Sequence, residues 1–143
     1  MKIYREGEIA MKLVINKCYG GFKLSIKGLK RLAELKGYNP CIYMNYRNEK
    51  KFKKVFGDSE SFDKYVVIRD LGIEVSNIDD DLMSAYDLDR TDPDLIRVVE
   101  ELGKEANGMY SDLRIVEIPD DIDWEIYEYD GIESIRDKSS VLD

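Results

Sequence analysis

The sequence predicts an α+β fold: a small mixed or antiparallel β-sheet, two main helices (about 26–36 and 93–106) and a C-terminal β-hairpin (about 113–129). Three observations carry this. Two stretches have helical apolar periodicity between a capping residue and a glycine stop. Several short runs are rich in β-branched and aromatic residues and end at Gly, Pro or Asp. The 143 residues, 43% of them hydrophobic, suit one ordinary core. The expected organisation is a loose N-terminal lead (1–10), a single globular α+β domain (11–135) and a disordered tail (136–143).

In chain order, MKIYREGEIA has no pattern continuous with the residues after it, and Met11 opens the ordered domain. MKLVINK reads as a strand and CYGGF breaks it. Ser25 then caps a helix from Ile26 to Lys36, with Ile26, Leu29, Leu32, Ala33 and Leu35 as its apolar stripe and Gly37 as its stop. PCIYMNY (40–46) is a second strand, NEKKFKKVFGDSE (48–60) a basic exposed stretch, and KYVVIRD (64–70) a third strand that turns at Asp70-Leu71-Gly72. From Ile73 to Arg90 the chain is acidic and aperiodic, which suits a connecting loop with one short helical turn.

The clearest local signal is RTDPDLIRVVEELGKEANG. Asp92 is the N-cap, Pro93 the first helical residue, and Asp94 a first-turn carboxylate at the positive end of the helix dipole. Leu95, Val98, Val99, Leu102 and Ala106 form one face, Asn107-Gly108 the stop, and Gly103 suggests close packing against a neighbour. LRIVEIP and DWEIYEYDG pair as the hairpin across an acidic turn from Pro119 to Asp123. Trp124 and Ile126 then face the core while Tyr127 and Tyr129 occupy the opposite side.

Composition excludes more than it assigns. With no histidine, Ser-His-Asp and Cys-His nucleophiles, His-ligated metals and the usual neutral-pH general base are all removed. Cys18 and Cys41 form no CxxC and read as thiols. Asp87-Leu-Asp89-Arg-Thr91 opens like a calcium loop, but Asp92 stands where glycine is required and Val98 where glutamate is required, so the match fails. No metal and no cofactor is expected. An enzyme would need Cys18 or a carboxylate, which makes catalysis the less favoured reading. No apolar run is long enough to span a bilayer and no secretion signal opens the chain, so a cytoplasmic location without membrane contact is expected.

The net charge of −8 is divided unevenly: residues 1–78 hold 16 basic and 9 acidic side chains, residues 79–143 hold 6 and 21. The two halves can attract each other, or the acidic half can repel nucleic acid and seek a basic partner. Direct nucleic-acid binding is not expected. Asp120, Asp121, Asp123 and Asp130, together with Tyr127 and Tyr129, make a candidate partner-binding surface, and Tyr43 and Tyr46 belong to the same tyrosine-rich reading. The alternative for these rings is a half-buried sheet face.

Lys17, Cys18, Tyr19, Gly20, Gly21 and Phe22 lie between a strand and a helix. There, glycine peptides can aim N–H groups at an anion with Lys17 or Lys23 beside it and a ring to stack on a base. Arg90 and Asp92 are candidates for the same ligand. The structural alternative is a tight corner with Phe22 as a core plug, and an exposed ion pair for Arg90.

The blocks INKCYGGFKLS, RTDPDLIRVVEELGKEANG and LRIVEIPDDIDWEIYEYDGIESI resemble a family of small proteins of bacterial and bacteriophage or prophage genomes. Members continue after EYDG into a His- and Arg-containing stretch, where this chain has RDKSSVLD. The resemblance implies action in a host bacterial cytoplasm by binding: inhibition or modulation of a host defence or metabolic protein, with homo-oligomerisation also open, or sequestration of a signalling nucleotide. The function expected is thus a non-enzymatic binding protein with an acidic, tyrosine-bearing surface. A nucleotide-binding protein is the first alternative and a histidine-free nucleotide-processing enzyme the second.

Overall fold

The computed structural model describes residues 10–46, 50–119 and 121–138. The element order is β1 (Ala10–Asn16), α1 (Ile26–Leu35), β2 (Cys41–Asn45), β3 (Phe52–Val55), β4 (Lys64–Val67), β5 (Glu74–Val75), a 3-10 turn (Asp79–Asp81), α2 (Pro93–Leu102), a second 3-10 turn (Gly103–Ala106), β6 (Leu113–Pro119), β7 (Trp124–Tyr129) and β8 (Ile132–Asp137). The α+β class and the two helices are as expected, and a C-terminal hairpin is present, formed by β7 and β8. Among the described residues every strand pairing is antiparallel, and the strands form three sheets: β1-β6, β4-β2-β3-β5 and β7-β8.

Both helices begin where their caps predict. The Ser25 Oγ accepts from the Gly28 N–H at 2.9 Å and donates to the Glu105 carbonyl at 2.6 Å, and the Asp92 carboxylate accepts from the Asp94 N–H at 2.9 Å. Pro93 is the first helical residue of α2. Gly103 differs from expectation. Nothing lies within 4 Å of the position its Cβ would take; instead its φ of 56° ends the α-helix and starts the 3-10 turn.

The helices run antiparallel, basic α1 along acidic α2. Lys27 meets Glu105 at 2.9 Å, Arg31 meets Glu101 at 3.0 Å, and Lys36 meets Asp92 at 2.7 Å and Asp94 at 3.3 Å. The uneven charge of the chain is therefore partly consumed in holding its own helices in register, although each such exposed pair contributes at most about 1 kcal/mol.

Strand alternation divides the apolar side chains into layers. Val14 on β1 packs with Leu29 and Leu32 of α1 and Leu95, Val98 and Val99 of α2. Leu13 and Ile15 point the other way, onto Ile118, Trp124, Ile126 and Ile135. The β1-β6 ribbon is thus filled on both faces, by helices on one side and by the β7-β8 hairpin on the other. In the four-stranded sheet, Ile42 and Val66 join the helical core while Tyr43 and Val67 form a further cluster with Ile78.

Several expectations are corrected. The hairpin is β7-β8, not LRIVEIP with DWEIYEYDG: β6 pairs with β1 from Ala10↔Pro119 to Asn16↔Leu113, and β7 pairs with β8 from Trp124↔Asp137 to Tyr129↔Ile132. The turn responsible is Asp130-Gly131, with φ of 54° and 86°, the positive values at both central residues that a two-residue type I′ turn requires. Arg136 and Asp137, expected in a disordered tail, consequently lie in β8, whereas residues 139–143 and residues 1–9 of the expected lead are outside the described residues. The basic stretch 48–60 is not simply exposed: Phe52 packs edge-on to Tyr65 with ring centroids 5.9 Å apart, Val55 reaches the helical core, and β3 forms between them. The short helical turn expected between Ile73 and Arg90 is the 3-10 turn at Asp79–Asp81.

Tyr43 leaves the tyrosine-surface reading, since it is fully buried. Its hydroxyl donates to the Gly72 carbonyl at 2.6 Å and accepts from the Leu71 N–H at 2.8 Å. Burial holds its pKa above the ordinary tyrosine value. The neutral phenol is favoured in the fold, so its contribution to stability is complete below about pH 10 and is lost as pH rises through the folded pKa. Tyr43→Phe should cost about 1–2 kcal/mol in urea unfolding at pH 7. It should also flatten the decline in stability above about pH 10; an unchanged alkaline decline would assign that decline to other groups.

Candidate functional site

The corner after β1 is organised by a buried side chain. Asn16 has no exposed surface, and its amide uses every hydrogen-bonding position it has. The Nδ2 donates to the Cys18 carbonyl at 2.6 Å and to the Gly131 carbonyl at 2.8 Å; the Oδ1 accepts from the Cys18 N–H at 3.2 Å and the Asp112 N–H at 2.8 Å. One residue thereby ties the end of β1, the CYGGF corner, the β7-β8 turn and the segment before β6.

The two glycines of the corner have different reasons. A Cβ on Gly20 would stand 2.1 Å from the Tyr110 carbonyl oxygen, a close approach that only glycine permits, and Gly21 has a φ of 86°. The Ser111 hydroxyl closes the corner by donating to the Gly21 carbonyl at 2.9 Å. Phe22 is buried beneath, in keeping with the core-plug alternative. Lys17 and Tyr19 are exposed and Cys18 is a half-buried free thiol.

Arg90 is placed differently from either expectation. It does not form an exposed pair ahead of the α2 cap; its guanidinium lies 3.6 Å from the centre of the Phe22 ring and forks onto Glu133, Nη1 to Oε1 at 2.6 Å and Nη2 to Oε2 at 2.8 Å. Nη1 also donates to the Val14 carbonyl at 3.2 Å, and the Val14 N–H donates to the Arg90 carbonyl at 2.9 Å. Glu133 accepts in addition from the Asn16 N–H at 2.8 Å. Asp92 is committed to capping α2 and to Lys36. The structure therefore brings Asn16, Cys18, Phe22, Arg90 and Glu133 into one polar knot whose donors and acceptors are turned on each other. The knot fastens the hairpin to the ribbon.

The hairpin itself has the two faces the alternation predicts. Trp124, Ile126 and Ile135 pack inward, and Glu133 on that same face reaches Arg90. The outer face carries Tyr127, Tyr129 and Ile132, with the Arg136 guanidinium 3.8 Å from the centre of the Tyr127 ring. Asp121, Asp123 and Asp130 are exposed around it; Asp123 stands 3.9 Å from Lys138, and Asp120 lies outside the described residues. The hairpin turn abuts Tyr19, whose carbonyl lies where a side chain on Gly131 would begin. Tyr129 (73% exposed) and Ile132 (44%) flank that turn, and Tyr19 is itself 68% exposed.

A separate hollow of about 280 Å³ opens between the start of α1, β4 and residues 82–86. Ile26, Leu29, Leu82, Met83, Phe62 and Tyr86 supply its apolar wall. Lys23 enters it from the strand-like segment that joins the corner to α1, where Leu24 bridges to Asn107 and donates to the Ala85 carbonyl at 3.0 Å. Gly108 packs on the stem of Lys23, which is why the side chain is buried although it stands among ordinary loop residues in GFKLS. The sequence offers Lys23 as an anion contact at the corner; the fold directs it to this hollow instead.

Among the described residues, no group of three His, Cys, Asp or Glu side chains is placed to hold a metal ion, and no helix is long and apolar enough to cross a membrane. No protein-family model, curated relative or solved structure matches the chain.

Proposed function

We propose that this protein acts by binding a protein partner through the outer face of the β7-β8 hairpin and the adjoining Tyr19. The observation that carries the reading is that three large exposed side chains, Tyr127, Tyr129 and Ile132, share one face of a two-stranded element. Exposed apolar residues scattered singly need no explanation, but Tyr127, Tyr129 and Ile132 share the outer face of one hairpin, whose turn abuts the Tyr19 backbone and whose inner face packs Trp124, Ile126 and Ile135 toward the ribbon. Tyrosine offers contact area at low entropic cost, and Asp130 at the turn, with Asp121 and Asp123 at the other end of β7, favours a partner that brings basic groups to the edges of an apolar contact. In the setting that the sequence resemblance implies, that partner is a host defence or metabolic protein whose activity is blocked by occupancy.

The test is native mass spectrometry of the protein purified gently from a bacterial host lysate, beside the double variant Tyr129→Ser/Ile132→Ser. A stoichiometric protein partner with the wild type, lost with the variant while circular dichroism is unchanged, is the expected result. A self-associated wild type that the variant dissolves would make the partner a second copy. A bare monomer in both samples would remove the reading.

A further inference from the structure

We propose that the hollow holding Lys23 is a binding site for a small monoanionic acid with a flat apolar body, such as an aryl or indolyl carboxylate. Lys23 is only 9% exposed, yet its ammonium has no hydrogen-bond acceptor among the described residues. Its nearest carboxylate, Glu60, is at 4.0 Å and is already engaged: the Ile26 N–H donates to one oxygen at 2.8 Å and the Met109 N–H to the other at 3.1 Å. Two ring faces among the described residues also lie near the ammonium, Phe62 at 5.1 Å and Tyr86 at 5.9 Å from the centroids. The stem is buried while the ammonium, at the wall of an apolar hollow, keeps its donors free, and it is the group that a carboxylate entering the hollow would satisfy.

The remainder of the hollow sets the body of the ligand. Its volume of about 280 Å³ lies at the lower edge of small-molecule sites. Its wall is aliphatic and aromatic, and Phe62, stacked on Tyr110 with centroids 6.2 Å apart, and Tyr86 offer ring surface to a flat body. The charge is also bounded. Lys64, the other cation at the wall, already donates to the Ser59 carbonyl at 3.1 Å and its hydroxyl at 2.9 Å, and Glu60 stands 4.0 Å from the Lys23 ammonium, so the hollow has room for no more than one further negative charge. A phosphate dianion would ask for more donors than this hollow supplies. The site is independent of the hairpin face, because Tyr129 and Ile132 do not line it.

The experiment titrates the full chain with indole-3-acetate and, separately, with the uncharged and nearly isosteric indole-3-acetamide, followed by amide NMR shifts and calorimetry. The acid should bind saturably with shifts at Lys23, Ser84 and Tyr86, and about tenfold or more tighter than the amide, the worth of one charge-assisted hydrogen bond. Lys23→Met should abolish that preference. It should leave the melting temperature close to that of the wild type, since the apolar stem is kept and Glu60 retains both N–H partners. Tyr86→Ala, at an exposed position, should weaken the acid without unfolding the chain and serves if Lys23→Met does not fold. Absence of saturable acid binding at millimolar concentration, equal binding of acid and amide, or a preference that survives Lys23→Met or binding that is unaffected by Tyr86→Ala would each overturn the proposal.

Discussion

Arg90→Ala should destabilise the protein by about 3–5 kcal/mol, as expected when one partner of a buried ion pair is removed and the other is left behind. The side chains of Arg90 and Glu133 are 16% and 8% exposed, and the pair is bidentate. Removing the guanidinium strips Glu133 of both charged contacts and leaves it the Asn16 N–H alone. It also removes the cover over Phe22 and the bond to the Val14 carbonyl. Arg90→Lys should fall between wild type and Ala, because an ammonium keeps the charge but neither the fork nor the stacking plane. The double variant Arg90→Leu/Glu133→Leu should cost much less than the sum of the two single leucine substitutions, since no charge is left uncompensated. Urea unfolding of the set, followed by circular dichroism, measures this directly. Additive losses would mean that the two residues act separately and that the fork contributes little. The same result bears on function: a small-molecule affinity lost in Arg90→Ala reports unfolding before it reports a site.

Legibility in the sequence tracks the range of the interactions. Ser25, Asp92 and Pro93 act on residues two or three positions away, and the helices start where these residues place them. The inward Trp124 and Ile126 and the outward Tyr127 and Tyr129 come from the period of a strand, whatever it pairs with. The partner of a strand is another matter. LRIVEIP borders a turn-like acidic stretch, which invites a local hairpin, whereas its actual partner is β1, about a hundred residues earlier. A local signal does favour the true hairpin: Asp-Gly between alternating segments is a strong mark of a type I′ turn, and it stands at Asp130-Gly131. Strand β3 is hidden because Lys53 and Lys54 dominate its four residues, and only the long-range fit of Phe52 and Val55 reveals it.

The site residues divide in the same way. The corner is visible because two adjacent glycines are conspicuous, but the reason for Gly20 is a carbonyl that approaches from Tyr110. Glu133 escapes a sequence reading because acidic residues crowd the C-terminal half, and nothing local separates it from Glu125 or Glu128. Its role depends on an arginine 43 positions earlier. Lys23 reads as a surface residue until Gly108 closes over its stem and Phe62 and Tyr86 flank its tip. In each case the chemistry lies in a pairing across the fold, and periodicity carries no information about it.

The second large effect is expected at Gly131, where Gly131→Val should release the hairpin from the rest of the molecule. A Cβ there would lie 2.1 Å from the Tyr19 carbonyl oxygen, 2.6 Å from its carbon and 2.8 Å from the Gly21 nitrogen. These are backbone atoms of a corner held by Asn16, so no flexible side chain can move aside. The φ of 86° adds the strain of a left-handed residue, of order 1–3 kcal/mol for a non-glycine. Gly21→Ala separates the two causes: its φ is also 86° but nothing lies within 4 Å, so it should lose only the backbone term. Gly131→Asn makes the converse comparison, because asparagine tolerates the left-handed region but still brings a Cβ to the Tyr19 carbonyl. If the close approach dominates, Gly131→Asn should resemble Gly131→Val, and Gly21→Ala should lose only the backbone strain of about 1–3 kcal/mol. The chain's one tryptophan, Trp124, packs against the β1-β6 ribbon, so a red-shifted emission at temperatures where the helices keep their circular dichroism reports the hairpin leaving. Simultaneous loss of both signals would instead mean that the hairpin and the helical core unfold as one unit. Because the proposed partner surface is the outer face of that hairpin, an undocked but otherwise folded Gly131→Val should also lose its partner with Tyr129 and Ile132 intact, which would place the binding geometry in the docked hairpin rather than in its side chains alone.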